Sequence, residues 1–123
     1  LSYSSKETGI TGEALANKYL CDEGITVIER NWRCNAGEAD IIAIEDGTLV
    51  FIEVKTRTNI KAGFPEESVT RAKRHKYEII AAYYLSEVDS PSIQIRFDVI
   101  SVLLVGERQA MLRHHRDVFS YGE

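Results

Sequence analysis

GEADIIAIEDGTLVFIEVKTR, residues 37–57, decides the fold. Two apolar runs flank Asp46-Gly47, a dipeptide that favours the two-residue turn of a β-hairpin. With that turn, Glu45 faces Thr48, Ile44 faces Leu49 and Ile42 faces Phe51. The same register places Asp40 opposite Glu53 and Glu38 opposite Lys55, with directly opposed Cβ atoms about 4.5–5.5 Å apart. Side chains alternate with period two, so these residues share one face. Ala39, Ile41, Ala43, Val50, Ile52 and Val54 make the other face purely apolar. Like charges directly opposite each other destabilise a sheet. A hard divalent cation such as Mg²⁺ reverses that, because it takes one or two carboxylates as ligands. Lys55, one pleat beyond Glu53, reaches the same place. A turn of three or five residues would shift the pairing and take Asp40 out of register.

Around this hairpin the chain reads α-β-β-β-α-β-β. GITGEALANKYLCDEG predicts a helix from about Thr11 to Glu23, with Thr11 as N-cap and Gly24 near the C-cap. ITVIERNWR is rich in β-branched and aromatic residues and predicts a strand. NIKAGFPEES reads as a loop. A helix follows from about Glu66 to Ser86, with Val69, Ala72, Ile79, Ile80 and Tyr83 at helical spacing. SEVDSPS is a second loop, IQIRFDVISVLL a long strand, and a last short strand lies near Ala110 to His114. This order predicts an α/β protein with a mixed central sheet flanked by helices. The 123 residues fit one domain, with its core between about residues 9 and 119.

Composition narrows the function classes. No run of about 18 apolar residues is present, which predicts no membrane span. LSYSSKETG carries no signal-peptide pattern, and Cys21 and Cys34 are spaced as neither a CxxC pair nor a disulfide framework. A cytoplasmic protein with reduced thiols is the expectation, and zinc-ligand spacing is lacking. His114 and His115 would point to opposite faces of a strand, one of them exposed. The net charge of −4 argues against nucleic-acid binding by bulk charge. Its distribution argues otherwise. Between Val54 and Lys76, seven basic residues (Lys55, Arg57, Lys61, Arg71, Lys73, Arg74, Lys76) stand against two acidic ones, making a local basic segment beside an acidic body.

Asp40 followed by Glu53-Val54-Lys55 resembles the PD-(D/E)xK nuclease motif, with Ala39 where that motif has Pro. The series GEALA (12–16), NWRC (31–34), GEAD (37–40), VFIEVKTR (50–57), the Gly63/Pro65 loop, RFDV (96–99), His114 and Phe119 resembles the YraN-like family of bacterial proteins. That resemblance implies a restriction-endonuclease-like fold, related to the archaeal Holliday-junction resolvases. It implies a nuclease site in which Asp40, Glu53 and the Val54 carbonyl hold Mg²⁺ or Mn²⁺, and Lys55 serves catalysis. In the resolvases a first-helix Glu completes the site, and Glu13 takes that place here, as ligand directly or through water. Glu13 also interrupts an apolar face formed with Ile10, Ala16 and Leu20, which a purely solvated Glu would not do.

Other residues carry a functional and a structural reading side by side. Arg57, Arg71, Lys73, Arg74 and Lys76 are candidates for phosphate contact, or basic side chains of a solvated face. Glu38 is a supporting acid beside Asp40. Trp32 reads as core, and Asp98 as a partner for Arg33 or Arg96 rather than a ligand. The expected function is metal-dependent cleavage of nucleic acid, DNA favoured over RNA. A branched substrate would suit a homodimer, whose two sites cut two strands. Two rival classes stand beside it: a nucleic-acid-binding module that keeps the fold without cutting, and a scaffold protein that uses the acidic body.

Overall fold

A computed structural model describes residues 4–58, 61, 63–65, 68–88, 93–106 and 108–120. Seven elements lie among them: α1 (Ser5–Asp22), β1 (Thr26–Cys34), β2 (Gly37–Glu45), β3 (Thr48–Arg57), α2 (Arg71–Glu87), β4 (Gln94–Val105) and β5 (Gln109–Phe119). The order is α-β-β-β-α-β-β, as the apolar patterning requires. The strands form one mixed sheet in the order β1-β2-β3-β4-β5. Only β3 and β4 run parallel, and α2 makes the crossover between them. No helix among the described residues is long and apolar enough to cross a membrane.

Each face of the sheet carries one helix. Tyr77, Ile80, Ala81 and Tyr84 of α2 pack on Ile42, Leu49, Phe51, Phe97, Val99 and Phe119. Ala16 and Leu20 of α1 pack on Ile41, Ala43, Val50, Ile52, Ile100 and Val102. Strands covered on both sides lose the apolar/polar alternation of a half-exposed strand, which is why IIAI and LVFI read as continuous apolar runs and VISVLL is interrupted by Ser101 alone. Burial of that apolar surface at roughly 25 cal/mol per Å² is the main favourable contribution to this arrangement.

The helix starts differ from the reading above. The first helix begins at Ser5, because Ser4 and Glu7 form a capping box that satisfies both backbone N–H groups. Thr11 is therefore an interior residue, and Glu13 lies too far along α1 for the helix N-terminus to explain its charge. Interior Gly12 has a packing reason: a Cβ there would collide with the side chain of Thr56, so α1 crosses β3 closely at that point. The second helix begins at Arg71, with Thr70 Oγ1 accepting from Lys73 N at 3.2 Å. Residues 66 and 67, read as its start, lie outside the described residues, as do parts of both loops. The last strand is longer than read and reaches Phe119. Neither adjacent histidine is exposed: His115 is half-buried, and the His114 side chain is only 3% exposed.

The hairpin turn is as expected. Asp46 (φ 49°) and Gly47 (φ 80°) both adopt positive φ, as a type I′ turn demands. The expected register holds from Glu45↔Thr48 to Ile41↔Ile52 and the paired ladder stops there. Asp40↔Glu53 and Glu38↔Lys55 are therefore not ladder pairs, and the shared face expected for them is corrected. The cause lies in β1. Its ladder with β2 runs through Arg30↔Ile41 and Trp32↔Ala39 but skips the pair between them, Asn31 with Asp40. Asn31 has φ 52°, a left-handed conformation that Asn tolerates better than most residues. Side-chain alternation slips once at this point. Ala39 joins Ile42 in the α2-side core instead of siding with Ile41. Glu38 meets Asn31, which also holds Glu13 of α1.

Candidate active site

The slip leaves Asp40 where two strands part. Its Oδ2 accepts a hydrogen bond from Val54 N at 2.9 Å, so a side chain, not the β2 backbone, satisfies that donor of β3. Burial pushes the Asp40 carboxyl up, to about 6; the negative charges of Glu13, Glu53 and Glu38 add to this, against the Val54 N–H. Those charges are the electrostatic signature of four carboxylates gathered at one end of the sheet. Tyr77 of α2 closes the floor. Its hydroxyl hydrogen-bonds with the Asp40 backbone, and its ionisation is suppressed by burial and then by the charges of Asp40 and Glu53.

Glu53 is buried, on the α2 side of β3. Its Oε1 bonds Lys73 Nζ. Its Oε2 is buried with no hydrogen-bond partner. Such an oxygen is costly, about 1–3 kcal/mol for an unmet acceptor and more for a charged one. Lys55, one pleat along, donates from Nζ to the Ser68 carbonyl at 2.7 Å. That contact ties Ser68 to β3, and a Ser101 Oγ to Pro65 carbonyl bond (3.3 Å) ties Pro65 to β4.

Glu13 and Glu38 occupy the α1 side. Asn31 Nδ2 donates to Glu13 Oε1 at 2.7 Å and to Glu38 Oε1 at 2.9 Å, and Arg33 Nε pairs with Glu38 Oε2 at 2.8 Å. Glu38 thus stands beside Asp40 as a supported acid. Among the expected phosphate contacts, Arg57 and Arg71 are exposed. Lys73 is tied to Glu53. Arg74 turns to its own helix start, donating from Nε to the Val69 carbonyl at 3.1 Å, and lies over the Phe119 ring. Lys76 lies against Gly37, where a Cβ would collide with its side chain. Trp32 is half-buried and meets Tyr84 edge-on at 5.1 Å. Asp98 pairs with Arg96, one of its two expected partners.

Asn31, Tyr77 and the Lys73–Glu53 pair were not foreseen as parts of the site. An Asn inside a β-branched strand was a signal for a left-handed kink. Tyr77 carried none, since an aromatic at helical spacing reads as core.

A family model described as "Uncharacterised protein family UPF0102" matches residues 12–102, a span that contains Glu13, Asn31, Glu38, Asp40, Glu53, Lys55, Lys73 and Tyr77. The chain belongs to UPF0102. Proteins named "UPF0102 protein" are similar to it over most of their length. That of Nocardia farcinica is 44% identical over 111 residues, covering 90% of this chain and 87% of the relative. That of Clostridioides difficile is 44% identical over 105 residues, covering 85% and 92%. That of Chlorobaculum parvum is 48% identical over 95 residues, covering 77% and 74%. The YraN-like assignment from the motif series is met by this membership.

Asp40 and Glu53 offer carboxylate oxygens, the donor type that a hard cation takes. Among the described residues no three His, Cys, Asp or Glu side chains converge tightly enough to form a metal cage unaided. Mg²⁺ does not require one, since it commonly binds one or two carboxylates and keeps several waters. The fit rests on the partnerless Glu53 Oε2 and on the Asp40 carboxyl crowded by like charge.

Proposed function

We propose that the chain is a divalent-metal-dependent nuclease that hydrolyses phosphodiester bonds in DNA. The observation that carries this reading is the Glu53 carboxylate, buried with one oxygen unpartnered beside the half-buried carboxylate of Asp40. A folding protein gains nothing from that oxygen, whereas a bound cation converts it into a ligand. Asp40 and Glu53, with the Val54 carbonyl, are the residues that would hold Mg²⁺ or Mn²⁺, with Glu13 reaching it through water. When bound, the ion supplies Lewis acidity toward a phosphate oxygen.

The chain's own groups do the rest. Lys55 orients the attacking water and balances charge on the transition state. Arg57 and Arg71, both exposed, contact flanking phosphates. Tyr77 and Val54 keep Asp40 in place. The small domain favours selection by nucleic-acid structure over reading of base sequence.

A screen with Mn²⁺ and Mg²⁺ on single-stranded, duplex, flap and four-way DNA tests this. Wild type cuts at least one substrate. Asp40→Ala loses both metal binding and cleavage. Lys55→Ala keeps metal binding and loses cleavage by about 10²-fold or more. Equal loss of both in Lys55→Ala would undo its assigned role. The Lys73–Glu53 pair favours one other reading, a binding module in which Lys73 replaces a metal for good. That protein binds DNA with log K falling as log salt rises, and cuts nothing in either metal.

A further inference from the structure

Lys73 and Glu53 form an unequal pair. The Glu53 side chain is 9% exposed, whereas that of Lys73 is 47% exposed. Lys73 sits in the first turn of α2 with its backbone N–H bound by Thr70, so its stem reaches in from the rim of the site. Its ammonium caps Glu53 Oε1 and leaves Oε2 with no partner. A structural ion pair this close to other carboxylates would satisfy both oxygens, as buried pairs do when they stabilise a fold. Here the ammonium neutralises the charge of Glu53 and leaves half its ligand capacity open.

Resting on the nuclease reading above, we infer that Lys73 is a displaceable counter-ion: it pairs with the buried Glu53 carboxylate without metal, and leaves when a divalent ion arrives. The physical argument is a competition. The site gathers carboxylates from Asp40, Glu53, Glu13 and Glu38 at one end of the sheet. Without a cation of some kind, Glu53 would be a buried, unpaired charge. A divalent ion between Asp40 and Glu53 brings greater charge to the same oxygens and repels the ammonium. A side chain half in water leaves at little cost, since partly exposed ion pairs contribute only about 0–1 kcal/mol. The carboxylate is thereby kept in place before metal arrives, and the metal must outcompete a cation the protein itself supplies.

The test is direct Mn²⁺ binding, read from the loss of the free-ion EPR signal, at about pH 8, where the carboxylates stay ionised. Lys73→Met removes the competitor, and the expected result is Mn²⁺ affinity tighter by about fivefold, the most that breaking a half-exposed ion pair costs on binding. Lys73→Arg keeps the competing cation and stays within about threefold of wild type. Arg71→Met removes the same formal charge from the same helix turn without touching Glu53, and shifts affinity by about twofold or less. Unchanged or weaker binding in Lys73→Met overturns the inference while leaving the metal site standing. So does equal tightening in Arg71→Met, which would make the effect one of net charge. Absence of Mn²⁺ binding in every protein, wild type included, overturns the metal site and the inference with it.

Discussion

Asp98 and Glu53 are carboxylates on neighbouring parallel strands, one register position apart, and the sheet treats them oppositely. Ile52 pairs with Asp98 and Glu53 with Val99, so the two acids leave opposite faces. Asp98 is saturated. Its Oδ1 accepts from Arg96 Nε (2.9 Å) and Asp117 N (3.0 Å), and its Oδ2 from Arg96 Nη2 (2.9 Å) and His114 Nε2 (2.7 Å). Burial would raise its pKa, but the bonds from His114, Arg96 and Asp117 outweigh it and hold the carboxyl below its usual range. The network continues outward: Arg96 and Arg116 both reach Glu45, and Tyr19 of α1 meets His114 at 3.0 Å. Glu53, also buried, has one oxygen on a half-exposed lysine and one on nothing. A finished polar network ties α1 and β5 to the sheet. An unfinished one, on β3, leaves a buried Glu53 oxygen without a partner.

The difference can be broken first at Asp98. Asp98→Ala strands Arg96 and His114 without their shared acceptor, and urea denaturation is expected to show a loss of about 3–5 kcal/mol, the cost of removing one member of a buried charged network. A loss under about 1 kcal/mol would mean that the network does not hold the fold.

Asp40 should behave with the opposite sign. Its folded carboxyl, at about 6, binds a proton more tightly than the unfolded one, whose ordinary value is 3.8. The unfolded state thus holds fewer protons between those values, and stability falls as pH rises from about 4 to about 6. Asp40→Asn keeps an acceptor for Val54 N–H, removes the charge, and is expected to stabilise by about 1–3 kcal/mol at neutral pH, with the gain fading near pH 4. Thermal melts across that range check it; destabilisation at neutral pH would refute the crowding of charge at this end of the sheet.

The smallest change in stability, and the largest in ligand response, belongs to Glu53→Gln. Lys73 can turn to water, so stability should move by less than about 1 kcal/mol. The Mn²⁺-dependent rise in melting temperature expected of the wild type should vanish. If Glu53→Gln costs as much as Asp98→Ala, the two acids are alike and the contrast is false.

Much of this was written locally. The Asp46-Gly47 turn set the register of five consecutive pairs, and apolar runs announced strands covered on both faces. The motif residues Asp40 and Glu53 were legible as costly charges in an apolar hairpin. Their geometry was not. Extending a regular register beyond Ile41↔Ile52 put Glu38 and Asp40 on one face and Ala39 on the other, because nothing in β2 itself records the kink that Asn31 imposes from β1. Glu13 was read near a helix start because Thr11 looked like a cap; the box formed by Ser4 and Glu7 places that start seven residues earlier.

By itself, the sequence determined what depends on neighbours along the chain: element order, the hairpin turn, the burial of each apolar run and the identity of the acids. Tertiary structure alone decided which oxygens have partners. Asp98 is satisfied by residues at 96, 114 and 117, while Glu53 is met by a lysine twenty positions later and Asp40 by its own sheet neighbour. Hydrogen-bond satisfaction is a property of three-dimensional proximity, with a reach of about 3 Å, and no periodicity in a chain encodes which distant donor arrives within it.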